Sequence, residues 1–272
     1  MNKKRPFLKW AGNKYRCLDK ILSSLPPSNR LIEPFTGSGA IFMNSNYDHY
    51  LLAEQNQDLI NLYQYLKQEG QLFINYCARY FSGQHNNQLD FYQFREHFNQ
   101  CTQKNKTRSR AALFLYLNRH GYNGLCRYNR HGIFNVPFGQ YKQLYFPAKE
   151  MLTFHHLSQH AEFLHADFRD TFALATSGDV IYCDPPYVPL SKSANFSSYT
   201  TKNFNEADQI TLTKLAINCA NRGIPVIISN HDTEFTRNQY QLATIISFPV
   251  KRLISCKASE RKNAQELIAI FN

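Results

Sequence analysis

The tetrapeptide Asp184-Pro185-Pro186-Tyr187 has the residue types and spacing that best fit chemistry on an amine. It directly follows an apolar run, residues 180–183, with the composition of a buried strand. Two prolines remove two N–H donors and stiffen the turn. Such a turn can direct a carboxylate and a bare carbonyl at one amine, while the aromatic ring stacks on the heterocycle that carries it. We therefore predict a catalytic turn here and not an ordinary Pro-Pro turn.

A glycine-rich turn follows the first predicted strand, where residues 36–40 read Thr-Gly-Ser-Gly-Ala. Backbone can approach a ligand closely at such a turn, although the dinucleotide and phosphate-loop spacings are absent. The next predicted strand ends at Glu54, whose carboxylate is well placed to accept hydrogen bonds from both ribose hydroxyls of a nucleoside. A solvated strand-end charge is the alternative for Glu54 alone. Together with the glycine turn, it favours a nucleoside site.

The elements around these residues indicate an α/β fold. Short apolar runs rich in β-branched residues predict strands at 30–35, 50–53, 179–183 and 225–229. Apolar residues at helical spacing predict helices at 58–69 and 206–222. Strands that alternate with helices form a mostly parallel sheet, and ligands bind at the carboxyl ends of its strands.

Residues 82–145 do not follow this alternation and predict an inserted second lobe. This segment is helical in pattern around 91–98 and 110–119, and its Gly- and Tyr-rich end has the composition of a β-hairpin. We therefore assign residues 1–81 and 146–272 to the core.

Charge and composition favour a polyanionic partner. The chain has 31 Lys and Arg against 20 Asp and Glu, a net charge of +11, and 14% aromatic residues. Many proteins are basic for solubility alone, so the position of the charges has to decide. In residues 118–142 basic side chains alternate with aromatic ones, which suits phosphate contacts and base stacking. An ordinary hairpin with aromatic core residues and solvated charges is the alternative.

Several classes of protein are not indicated. The 7 cysteines form no Cys-x-x-Cys pair, and His155, His156, His160 and His165 fit no zinc spacing, so we expect neither metal nor disulfides. No apolar run approaches the roughly 18 residues of a membrane span, and we expect neither a membrane span nor secretion. We expect a cytoplasmic protein. Residues 191–202 have the composition of a mobile loop that could close over DNA, or of an inert surface loop.

The sequence resembles the Dam family of DNA adenine-N6 methyltransferases over nearly its whole length. The resemblance lies in ordered segments: FLKWAGNK at 7–14, EPFTGSG at 33–39, FLYLNR at 114–119, GYNGLCRYN at 121–129, FNVPFG at 134–139, DPPY at 184–187 and ISNHD at 228–232. It implies a Rossmann-like methyltransferase core, S-adenosylmethionine as methyl donor, and a target-recognition lobe at 82–145. It also implies a monomer that acts on nucleoid DNA and recognises the duplex sequence GATC. In this family the target adenine is flipped out of the helix, as chemistry on a stacked base requires.

The same resemblance assigns residues to roles. The donor site would be lined by Trp10, Lys14, Phe35, Gly37, Gly39, Glu54 and Asp184, with Asp167 and Phe168 near its adenine. Asp184 and the Pro185 carbonyl would accept hydrogen bonds from N6 of the target, and Tyr187 would stack on its ring. Neither a metal nor a covalent enzyme intermediate would be needed, because the sulfonium methyl is already electrophilic and the enzyme has only to align N6 with it.

On the DNA side, Lys9 and Arg127 would read guanines, and Leu125 and Pro137 would contact the inner base pairs. Arginine suits guanine because its fork bonds O6 and N7 together. The other expected DNA contacts are Tyr122 and Asn123 beside the flipped base, with Arg119, Asn135, Tyr141 and Lys142.

Two positions depart from the family pattern. Asn13 replaces the usual Gly, and Glu54-Gln55-Asn56 replaces the usual Asp-Ile-Asn. Asparagine tolerates left-handed backbone and glutamate keeps the carboxylate on a longer arm, so these changes bear on donor affinity more than on activity.

Other substrates and functions remain open from the residues alone. The tetrapeptide also fits methylation of cytosine N4 or of a protein glutamine amide, although the basic, aromatic lobe disfavours a protein substrate. A catalytically silent DNA-binding module is a further alternative, against which the intact Asp184, Tyr187 and Glu54 argue.

Overall fold

A computed structural model describes residues 3–101, 107–187, 204–251 and 263–272. Its centre is a seven-stranded sheet of order β3-β2-β1-β4-β5-β7-β6. The strands are β1 (Arg30–Glu33), β2 (His49–Glu54), β3 (Ala161–His165), β4 (Asp179–Cys183), β5 (Val226–His231), β6 (Thr244–Lys251) and β7 (Asn263–Phe271). Strands β1 to β5 pair in parallel, and β7 lies antiparallel between β5 and β6.

Helices cover both faces of this sheet. They are α1 (Leu18–Leu22), α2 (Gln57–Glu69), α3 (Gln71–Ala78), α4 (Gln88–Gln100), α5 (Arg108–His120), α6 (Ala148–Ser158), α7 (Phe168–Ala173), α8 (Glu206–Asn221) and α9 (Glu234–Gln239). Alternate strand residues enter two separate apolar clusters: Leu31 and Val180 pack in one, while Ile32 and Ile181 pack in the other.

This architecture confirms the predicted α/β, Rossmann-like fold. All four predicted strands are present with no end shifted by more than two residues, the strand at 179–183 has the predicted bounds, and both core helices are present. Strands β3, β6 and β7 were not predicted. The chain order reverses between β1 and β4, and the carboxyl ends beside this point are where open α/β sheets bind ligands.

The segment predicted as a second lobe lies between α3 and α6. It contains α4 and α5, followed by a short hairpin in which Tyr128 bridges Phe134 and the Asn135 N–H donates to the Arg127 carbonyl at 3.1 Å. Isolated bridges, and not regular strands, form this predicted hairpin. Phe98 and Phe114 belong to the same buried cluster as Phe7, so the segment packs firmly on the core.

A buried ion pair ties the segment to the helix after β2. The Arg110 guanidinium contacts both oxygens of Asp58, at 2.5 and 2.9 Å, and both side chains are almost fully buried. The Tyr128 hydroxyl donates to Asp58 at 2.7 Å, and Arg110 also donates to the Phe98 carbonyl at 2.6 Å. Hydrogen bonds thus compensate both buried charges.

Residues 191–202, predicted to form a loop, lie outside the described residues. Within the described ranges, no helix has the length and apolar character needed to cross a membrane.

We expect Arg110→Met to lower the free energy of unfolding by about 3–5 kcal/mol, because it leaves the Asp58 carboxylate buried beside only a tyrosine hydroxyl. Urea denaturation followed by circular dichroism measures this change. Lys3→Ala, which breaks an exposed pair with Asp19, should cost less than about 1 kcal/mol. Equal losses in the two variants would contradict the argument.

Candidate active site

Polar side chains from several strands meet at the carboxyl edge of the sheet. Glu33 ends β1, Glu54 ends β2, Asp184 follows β4 and His231 ends β5. The parallel direction of these strands brings residues far apart in sequence to one edge. The predicted catalytic and donor-site residues therefore share this edge.

Lys14 fixes the predicted catalytic turn from the other end of the chain. It lies in a short helical turn capped by the Asn13 side chain, and its side chain is 5% exposed. Its Nζ is 2.7 Å from Asp184 Oδ1 and donates to the Tyr187 hydroxyl at 2.7 Å and the Gly12 carbonyl at 3.0 Å. The ion pair thus holds both the carboxylate and the ring.

Burial and the ion pair act in opposite directions on both partners. Burial alone would lower the pKa of Lys14, but Asp184, Tyr187 and Glu266 raise that pKa above its ordinary value. Burial raises the pKa of Asp184, and the Lys14 ammonium opposes that change. Lys14 therefore stays protonated, and its ammonium favours the charged form of Asp184, although burial leaves the pKa of Asp184 above its ordinary value.

Three further residues surround the turn. The Ser229 hydroxyl donates to Asp184 Oδ1 at 3.3 Å, and the Tyr187 hydroxyl donates to Glu266 Oε1 at 3.3 Å. The His231 ring lies 3.7 Å from the Tyr187 ring, centroid to centroid. Sequence analysis assigned no role to these three residues, although the segment ISNHD contains Ser229 and His231.

Glu54 lies beside the glycine turn, as predicted. Its carboxylate accepts hydrogen bonds from the backbone N–H groups of Gly37, Gln55 and Asn56 at 3.2, 2.9 and 3.3 Å. Burial raises the pKa of Glu54, and these three donors act against that rise. The two oxygens retain further lone pairs for a ligand.

The glycine turn leaves no room for larger residues. Gly37 and Gly39 have φ angles of +49° and +71°, in the left-handed region that favours glycine. A Cβ at Gly37 would lie 2.9 Å from Nε1 of Trp10, so the indole packs directly against the turn. The backbone can therefore approach a ligand beside Trp10.

An aromatic pair completes this side of the edge. The rings of Phe35 and Phe168 stack with centroids 5.4 Å apart. Asp167 caps α7 and accepts a hydrogen bond from the Gln55 side chain at 2.5 Å. A carboxylate, a close backbone approach and flat apolar rings together fit a nucleoside, so the residues present suit S-adenosylmethionine.

Glu33 is a site residue that sequence analysis did not identify. It is 2% exposed, and its Oε1 has no hydrogen-bond partner among the residues that the structure describes. Burial, with the negative charge of Asp184, raises the pKa of Glu33 to about 8, against one hydrogen bond from the Phe42 N–H. The carboxyl is therefore protonated at neutral pH.

Predicted DNA contacts near the N-terminus form one group. Lys9 and Asn118 exchange two hydrogen bonds through the Lys9 backbone, at 3.0 and 2.7 Å. The Lys9 ammonium donates to the Arg119 carbonyl at 3.1 Å and lies 3.6 Å from the centre of the Tyr141 ring. Burial and the Arg119 charge lower the pKa of Lys9 to about 8. Lys9, Arg119 and Tyr141 are thus together.

The remaining predicted DNA residues lie in or next to the hairpin, and each is at least partly exposed. Arg127 donates through Nε to Asn135 Oδ1 at 2.8 Å, which orients its guanidinium. Leu125, Arg127 and Asn135 are partly buried, while the exposed members are Tyr122, Asn123, Pro137 and Lys142. Asn123 has a φ of 52°, and the Tyr122 N–H donates to the Pro137 carbonyl at 2.9 Å.

Two aromatic residues of the basic segment belong to the core. Tyr128 and Phe134 are 7% and 1% exposed, so they cannot stack on DNA without unfolding the hairpin. These two side chains are therefore ordinary core residues, the alternative to DNA contact that the sequence left open. No group of three or more His, Cys, Asp or Glu side chains that could hold a metal occurs within the described ranges.

Comparison with known proteins decides the family. The profile of the "D12 class N6 adenine-specific DNA methyltransferase" family matches residues 10–254. This chain belongs to that family. The resemblance found in the sequence is thereby confirmed, and the protein is an adenine-specific DNA methyltransferase.

Curated relatives agree. The chain is 49% identical to the DNA adenine methylase of Serratia marcescens over 273 residues, which cover 100% of both chains. It is 46% identical to the DNA adenine methylases of Escherichia coli (strain K12) and of Vibrio cholerae, with 100% of this chain and 96% or 97% of the relative covered. Among solved structures, precorrin 8w decarboxylase of Methanobacterium thermoautotrophicum has a TM-score of 0.42 at 9% identity, with both chains covered completely.

The raised pKa of Glu33 predicts a change of stability with pH. The folded protein retains this proton up to a pH of about 8, whereas the unfolded chain releases it near 4.5, so stability falls as pH rises between these values. Glu33→Gln removes that dependence. In urea denaturation, we expect the free energy of unfolding of the variant to rise relative to that of the parent protein from pH 5 to 8, by at most roughly 1.4 kcal/mol per pH unit. Parallel pH profiles would show that Glu33 is ionised.

Proposed function

We propose that this methyltransferase moves the methyl group of S-adenosylmethionine to N6 of the adenine in duplex GATC, after flipping that adenine out of the helix. The observation that supports it best is the catalytic turn at the sheet edge. There Lys14 holds the Asp184 carboxylate and the Tyr187 hydroxyl, each at 2.7 Å, so an acceptor and a flat ring converge on one place.

The donor would occupy the side of the edge formed by β1 and β2. Glu54 accepts hydrogen bonds from the ribose hydroxyls, and the backbone at Gly37 and Gly39 allows the donor to approach closely. Trp10 packs against this turn. Phe35, Phe168 and Asp167 lie on the side of the adenine. When bound, S-adenosylmethionine supplies an electrophilic sulfonium methyl. The protein has only to place an amine in line with it.

The catalytic turn would bind and orient the target amine. The two N–H groups of the amine donate hydrogen bonds to Asp184 and to the Pro185 carbonyl, and Pro186 supplies no competing N–H donor. As N6 becomes tetrahedral and positive, these acceptors stabilise it more strongly than the planar amine. Tyr187 stacks on the flipped ring, and Asp184 works as an oriented acceptor and not as a strong base.

The hairpin and the N-terminal segment would read the site. Arg127 reaches a guanine from an orientation that Asn135 sets, and Lys9 reads the other guanine. Leu125 and Pro137 contact the inner pairs, Tyr122 and Asn123 fill the place of the flipped base, and Arg119, Tyr141 and Lys142 contact the backbone. A DNA substrate places the protein on the nucleoid in the cytoplasm, and we expect it to act as a monomer.

The deciding experiment is methyl incorporation from labelled S-adenosylmethionine into matched duplexes that contain GATC, GTTC or no site. We expect N6-methyladenine only in the GATC duplex, and a loss of at least about 100-fold in Asp184→Ala, because an oriented acceptor at the reacting atom is removed.

Asp48→Ala is the matched control, because Asp48 is exposed at the opposite end of β2. It should keep full activity. Absence of label from every duplex, despite binding of both DNA and donor, would overturn the proposal and leave a silent DNA-binding module.

Arg127→Ala should relax discrimination at one outer base pair by about 1–3 kcal/mol, because a bidentate guanine contact is lost. The ratio of kcat/KM for GATC to that for a duplex with this pair replaced measures the effect. Arg130→Ala, at the exposed hairpin turn, should weaken binding equally on both duplexes. An unchanged ratio in Arg127→Ala would remove this residue from recognition.

A further inference from the structure

We propose that His231 and Glu266 are positioning residues that hold the Tyr187 ring ready to stack on the flipped adenine. The inference rests on the proposed function and deepens it, since it concerns how the catalytic turn receives its base. The proposed function gives neither residue a role.

His231 occupies one face of the Tyr187 ring. The two ring centroids are 3.7 Å apart and the planes are tilted by 37°, so the rings are in contact. An aromatic ring has two faces, so a base can stack only on the face opposite His231. The histidine thus selects the face and blocks rotation of the tyrosine toward β5.

Glu266 fixes the other end of the same ring. The Tyr187 hydroxyl accepts a hydrogen bond from Lys14 at 2.7 Å and donates to Glu266 Oε1 at 3.3 Å. The Cys17 thiol donates to Glu266 Oε2 at 4.0 Å, a long contact to sulfur that further orients the carboxylate. Contacts at both the face and the hydroxyl leave the ring little freedom.

A rigid part of the sheet carries both residues. His231 and Glu266 are register partners in the antiparallel pairing of β5 with β7, which lies within the sheet and not at its edge. Tyr187 follows a two-proline turn on the neighbouring strand, so its backbone is also stiff. The sheet therefore determines where the ring lies before DNA binds.

Such preorganisation affects catalysis because a ring that turns freely must be immobilised when the base stacks. Loss of either contact should lower kcat by roughly twofold to tenfold, without changing donor affinity. A purely structural role would instead lower stability and donor affinity together.

The test uses a GATC duplex with 2-aminopurine in place of the target adenine, with S-adenosylhomocysteine bound. Tyr187→Ala gives the fluorescence of a flipped base that no ring quenches. We expect His231→Ala and Glu266→Ala to shift the signal toward that reference and to lower kcat on the adenine duplex. His231→Phe keeps a ring and Glu266→Gln keeps an acceptor, so both should stay near the parent protein.

His49→Ala and Glu162→Gln are the matched controls, because both side chains are exposed and lie near the amino ends of β2 and β3, away from the carboxyl edge. If the Phe and Gln variants are as impaired as the Ala variants, or if the Ala variants match the parent protein, the positioning role is overturned. If the parent protein itself gives no rise in fluorescence, base flipping fails and this inference fails with it.

Discussion

The ion pair between Lys14 and Asp184 is the interaction on which the site depends. It joins a turn near the start of the chain to the end of β4, with Nζ and Oδ1 2.7 Å apart and the lysine buried. A buried ammonium is stable only when it is paired and hydrogen-bonded. Lys14 meets that need with Asp184, Tyr187 and the Gly12 carbonyl, so the catalytic turn and the N-terminal segment are ordered together.

The turn between β2 and α2 has a comparable role for recognition. Glu54 contacts the glycine turn, Asn56 donates to the Cys126 sulfur at 3.3 Å, and Asp58 accepts from the Tyr128 hydroxyl. Cys126 and Tyr128 flank Arg127 in the chain. The segment that carries Glu54, the proposed ribose-binding residue, therefore also holds the two neighbours of Arg127, which is proposed to read guanine. A shift of this segment would displace both residues.

Sequence patterns predicted the centre of the sheet better than its margin. Strands β1, β4 and β5 are buried on both faces and read as continuous apolar runs, which makes them easy to recognise. At the margin, β6 is largely exposed apart from Phe248, and it contains Pro249, which an edge strand tolerates but which in a sequence argues against a strand. In the hairpin, Phe134 is buried against Phe98 of α4 and the Tyr128 hydroxyl donates to Asp58 of α2, contacts that composition does not reveal.

The site residues that the sequence did not reveal, His231, Glu266 and Glu33, owe their roles to strand register and to neighbouring charges. Glu266 and His231 reach Tyr187 only because β7 pairs with β5 at that register. Glu33, Glu54 and Asp184 lie at one edge, the first buried and the other two partly buried, and such neighbouring carboxylates do not all ionise without compensation. Lys14 faces Asp184 and three backbone donors face Glu54, whereas Glu33 has one N–H donor and a pKa of about 8. Glu33 therefore keeps its proton at neutral pH, while Lys14 and the backbone donors favour the charged forms of Asp184 and Glu54, the two residues proposed to bind amine and ribose.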